Sequence, residues 1–98
     1  MTELYSVTMP KPRKKSLELE LERLLDMICR EWGFCLIGDK RLAITTRSRL
    51  DAYEFATAVL NLEGFPHPEY EVRWMRQLAQ RFKEHFGKAA VSAEETSN

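Results

Sequence analysis

Apolar residues recur at helical spacing in three stretches of this chain. Leu17, Leu21, Leu24, Leu25, Ile28 and Trp32 step along one face and predict an amphipathic helix from Ser16 to Trp32. Its start also reads as a strand, because Leu17 to Glu22 alternates leucine and glutamate. The helical period continues to Trp32, however, and decides for the helix. Ser16 suits an N-cap, Glu18, Glu20 and Glu22 suit the positive end of the dipole, and Gly33 suits a left-handed stop.

A second helix is predicted through Tyr53, Phe55, Ala56, Val59, Leu60 and Leu62, ending at Gly64, with Ser48 and Asp51 spaced like a capping box at its start. The third spans Pro68 to Phe86. Pro68 fits its first turn, Val72, Met75, Leu78, Ala79, Phe82 and Phe86 form its stripe, and Gly87 follows it.

Between the first two helices the period changes. Phe34-Cys35-Leu36-Ile37 and Leu42-Ala43-Ile44-Thr45 are short apolar runs around the turn chemistry of Gly38-Asp39-Lys40, which predicts a β-hairpin. An isolated hairpin is marginal and needs a further partner. Tyr5, Val7 and Met9 alternate with Ser6 and Thr8, so residues 4–9 could supply an extra N-terminal edge strand before Pro10 and Pro12. The expected fold is therefore an α-rich α+β domain of order α-β-β-α-α. Residues 1–15 read as a basic arm, 16–87 as one globular domain, and 88–98, small and polar, as a disordered tail.

Composition narrows the function classes. The chain has 98 residues, one domain's worth, and its 15 basic and 15 acidic side chains cancel. A dedicated nucleic-acid binder usually carries a basic excess. Charge is nonetheless segregated: residues 1–15 carry a net +3, 16–32 a net −3, and 39–51 a net +2. Zero net charge also removes one brake on self-association, and small size favours it, so a homodimer is a candidate state. The first ten residues hold no apolar run and nothing nears the ~18 apolar residues of a membrane span, so the expected location is cytoplasmic, with no membrane partner.

Candidate chemistry is sparse. Cys29 and Cys35 sit beside Ile28 and Leu36 and read as buried, reduced thiols. With His67 and His85 they could be metal ligands, but their spacing lacks the compact pairs of structural zinc sites, so no metal is expected. No nucleophile elbow and no phosphate-cradling glycine loop occurs. No catalytic residue and no cofactor is assigned, and the chain reads as non-enzymatic, with an enzyme of unrecognised site the lesser alternative.

Two surfaces remain. Trp32, Tyr53, Phe65, Tyr70 and Trp74 are many rings for a small core, and aromatics with arginine mark interfaces. Tyr70, Arg73, Trp74 and Gln77 are therefore the candidate partner-binding residues of a protein-interaction or regulatory module. The alternative is nucleic-acid binding. There Lys11, Arg13, Lys14 and Lys15 of the arm, with Lys40, Arg41, Arg47 and Arg49 around the hairpin, would contact phosphates or an acidic partner. The second and third helices also loosely resemble a helix-turn-helix, although Glu69, Glu71 and Glu84 dilute its charge.

Overall fold

A computed structural model describes residues 15–93. The chain forms α1 (Lys15–Trp32), α2 (Asp39–Thr45), β1 (Arg49–Asp51), α3 (Ala52–Leu62), a 3-10 turn (Pro68–Tyr70), α4 (Val72–Phe86) and β2 (Ala90–Ser92). This is an α-rich α+β arrangement with a two-stranded antiparallel sheet. The expected strand over residues 4–9 lies outside the described residues, as do Lys11, Arg13 and Lys14.

α1 follows its leucine stripe. Leu17, Leu21, Leu24, Leu25 and Ile28 are buried, and together with Phe55, Val59, Leu60, Leu78 and Phe82 they build one core. The helix begins at Lys15, so Ser16 lies within its first turn and is not its cap. It stops where expected. Gly33 takes φ 79° and donates its N–H to the Cys29 carbonyl at 3.0 Å, a left-handed ending that a side chain would strain.

The predicted hairpin is not formed. Residues 34–38 are a loop and residues 39–45 are a helix. The burial explains why: Ile44 and Thr45 are buried and Arg41 is half-buried, which is the 41, 44, 45 spacing of one helix face. Arg41 fixes that face to α1, donating to the Glu22 carbonyl oxygen at 2.8 Å and to Asp26 Oδ1 at 2.9 Å. Periodicity alone cannot separate so short an apolar run into helix or strand.

The strands lie elsewhere. Arg49, Leu50 and Asp51 pair with Ser92, Val91 and Ala90, and two flanking bonds extend the ladder: Ala52 N–H to the Ala89 carbonyl at 2.8 Å and Ala93 N–H to the Ser48 carbonyl at 2.7 Å. Leu50 and Val91 face inward and are buried. Part of the stretch expected to be a disordered tail is thus the second strand.

Because β1 occupies residues 49–51, the capping box of α3 falls three residues later than Ser48 and Asp51 suggested. Asp51 Oδ1 accepts from the Glu54 N–H at 2.7 Å, and Glu54 Oε1 accepts from the Asp51 N–H at 3.0 Å. Asp51→Ala is expected to lower stability by about 1 kcal/mol, measurable by urea denaturation. Asp51→Asn, which keeps the acceptor, should lose clearly less.

The third expected helix is broken near its start. Pro68–Tyr70 is one 3-10 turn, Glu71 leaves helical geometry at ψ 64°, and α4 begins at Val72. α4 packs on α3 through Met75, Leu78 and Phe82 and ends at Gly87. Its far end is tied to α1 twice: Arg81 Nη1 to Glu31 Oε1 at 2.6 Å, and His85 Nε2 to Glu20 Oε1 at 2.9 Å.

Candidate partner-binding face

α4 has a clear division of faces. Met75, Leu78 and Phe82 enter the core, whereas Arg73, Arg76, Gln77 and Gln80 point to solvent. Val72, expected in the buried stripe, is 58% exposed. The break at Glu71 makes Val72 the first residue of α4, on the ridge it shares with Arg76 and Ala79.

Tyr53, in the first turn of α3, is 62% exposed and meets this ridge. Tyr53, Glu69, Val72, Met75, Arg76 and Ala79 line an open groove of about 350 Å³. A second depression, about 680 Å³, runs over Val72, Arg73, Arg76, Gln77 and Gln80. The two share Val72 and Arg76 and form one surface. Its apolar part is Tyr53, Val72 and the edge of Met75, and its rim carries the two arginines. Neither Arg73 nor Arg76 has an ion-pair or hydrogen-bond partner among the described residues. Tyr53 also borders a further hollow with Arg47, Thr57 and Asn61, so a third arginine adjoins the band.

The four candidate partner-binding residues do not share one environment. Arg73 and Gln77 lie on this face, and Tyr70, 75% exposed, stands beside it with its ring 5.4 Å from that of His67. Trp74 turns the other way. Its ring lies edge-on to Phe34 at 4.8 Å and to Trp32 at 5.6 Å, and Phe34 in turn meets Phe65 at 6.2 Å. Most of the surplus rings are thereby absorbed in a seam between the end of α1 and α4. Sequence reasoning placed Tyr53 among the surplus rings as well as in the apolar set of its helix, and missed Val72 as a surface anchor; the interrupted helix start at Glu71 that exposes Val72 has no residue signature.

The basic candidates scatter. Lys40 is exposed, Arg41 is held against α1, and Arg47 and Arg49 are exposed on either side of Ser48. Arg49 shares its hollow with Asp51 and Glu54, which offset its charge. With the hairpin absent, these cations have no common element to align them.

Other chemistry finds little support among the described residues. No group of three or more His, Cys, Asp and Glu side chains is placed to hold a metal ion. His67 approaches Glu69 at 3.7 Å and His85 is occupied by Glu20. The buried Thr45 hydroxyl lacks a partner and borders a hollow of about 190 Å³, whose lining mixes Glu18 with Arg47 and so selects neither charge sign. Among the described residues, no helix is long and apolar enough to cross a membrane. Family models, curated proteins and solved structures were compared with the chain, and none matches it.

Proposed function

We propose that this chain is a non-catalytic interaction module that docks an acidic segment of a partner protein, bearing apolar side chains, on the face built by α3 and α4. The observation that supports it most is the coincidence, in one groove, of exposed Tyr53 and Val72 with an arginine that has no carboxylate partner among the described residues, Arg76, and a second, Arg73, next to it. Large apolar groups beside unpaired guanidinium groups are the composition of binding hot spots. A guanidinium offers a fork of donors to a carboxylate, which favours an acidic occupant.

The test uses a synthetic amphipathic peptide with glutamate and leucine at helical spacing. Titration followed by NMR should shift the amides around Tyr53, Val72 and Arg76, and Arg73→Glu with Arg76→Glu should weaken binding by roughly tenfold or more, through loss of attraction and gain of repulsion. Shifts that map elsewhere, or a variant that binds equally well, would sink the reading. Dimers in light scattering that the same double substitution dissolves would make the occupant a second copy. Salt-sensitive binding to duplex DNA centred on Arg47 and Arg49 would support the nucleic-acid alternative instead.

A further inference from the structure

Cys29 and Cys35 are not the buried thiols their neighbours suggested: they are joined as a disulfide, with Cα atoms 4.4 Å apart. The turn at Gly33 brings the chain back alongside the last turn of α1, which the local sequence spacing does not reveal. Cys29 is half-buried on α1, and Cys35 is exposed on the loop. Within the closed ring lie Trp32 and Phe34, the two residues whose rings meet Trp74 of α4. Arg81 of α4 also lies over the Trp32 ring at 4.9 Å while pairing with Glu31.

We infer that Cys29–Cys35 is a thiol–disulfide exchange site whose redox state sets how firmly the end of α1 grips α4, with a protein or small-molecule dithiol as its co-substrate. The geometry provides both halves of this. Exposed Cys35 offers a sulfur to an incoming thiolate, as exchange requires access. The bond it closes belongs to the segment that supplies Trp32 and Phe34, two of the four rings in the α1–α4 seam.

The chemistry balances. A thiolate of the dithiol attacks Cys35 Sγ, a mixed disulfide forms, and Cys29 leaves as a thiolate that takes up a proton. The second thiol of the dithiol then attacks its own sulfur in that mixed disulfide and releases Cys35. Two electrons pass to the cysteine pair, and the dithiol becomes a disulfide. Once open, residues 33–36 keep the Gly33–Cys29 backbone bond and the packing of Phe34 and Leu36, but lose the side-chain cross-link to α1. In a reducing compartment the pair stands open; in an oxidising one it stands closed. This exchange does not depend on the docking reading, and its test needs no partner.

The experiment treats the folded, full-length chain with dithiothreitol, without denaturant. Iodoacetamide should add nothing before reduction and two carbamidomethyl groups after it. Hydrogen–deuterium exchange should become at least roughly tenfold faster in peptides covering residues 30–36 and 72–80, and slow again after reoxidation with glutathione disulfide. The emission of Trp32 and Trp74, the chain's two tryptophans, should change in parallel. Cys29→Ser with Cys35→Ser should resemble the reduced protein and ignore dithiothreitol. Labelling without reductant, reduction that occurs only in urea, or identical exchange at residues 72–80 in both states would each overturn the proposal.

Discussion

Phe82→Ala is expected to remove about 3–5 kcal/mol of stability, the largest loss from any single side chain considered. Phe82 is fully buried, its ring 5.4 Å from Phe55 and 4.8 Å from Phe86, so it joins α3 to α4 at the centre of the core. Alanine there forfeits the transfer energy of the ring and leaves a cavity whose walls come from separate helices. Small domains are stable by only about 5–15 kcal/mol, so the variant would sit near the edge of folding at room temperature. Each kcal/mol is worth roughly 4–8 °C in Tm at this size, which places the expected fall above 12 °C. Urea denaturation should show a lower midpoint with an unchanged slope, because the surface exposed on unfolding is nearly the same. A loss below about 1 kcal/mol would mean that Phe82 is not packed as described. Phe82→Leu, which keeps most of the volume, should recover much of the loss.

Ending the chain at Gly87 should cost roughly 2.5–6 kcal/mol, although composition marks residues 88–98 as dispensable. The truncation removes β2, and with it the burial of Val91 against Leu50, worth about 1.5–3 kcal/mol. It also strips the ladder from β1 and the two flanking backbone bonds, each a net contribution of about 0.5–1.5 kcal/mol. Leu50 would then meet water one residue before the cap of α3, so the damage should spread into that helix. Val91→Asp tests the same point without shortening the chain: it places a carboxylate in a buried position and should lose a comparable amount. If both variants melt with the parent protein, β2 contributes nothing to the fold.

Much of the helical structure was legible. The leucine stripe of α1, the Gly33 stop, the α3 positions Phe55, Ala56, Val59 and Leu60, and the α4 positions Met75, Leu78 and Phe82 stand as their period selects, whereas Tyr53 of the α3 set is exposed. Each of those signals is local: a side chain and its neighbours three or four positions away settle which face seeks the core. The failures were also of one kind. Leu42-Ala43-Ile44-Thr45 offered too few residues to choose between periods, and the choice was made by Arg41 reaching α1, which is distant in sequence. Three-residue strands have too little pattern to announce themselves, and Leu50 pairs with Val91 across the whole of α3 and α4.

The same division holds for the candidate site. Arg73 and Gln77 were identifiable because the stripe of α4 fixes its opposite face, whereas the direction of Trp74 was not, since a residue on the flank of a stripe can turn either way. Its place was decided by Phe34 and Trp32, which the disulfide-closed turn presents to it.

By itself, then, the sequence determined an α-rich chain, the core face of each long helix, and an outward basic face on α4, because those follow from side-chain period and helix geometry. The tertiary structure decided the second helix, the strand pairing between β1 and β2, the Cys29–Cys35 bond and the groove between Tyr53 and Val72. Each of these joins residues whose proximity comes from chain reversal and packing, and neither leaves a mark in local spacing.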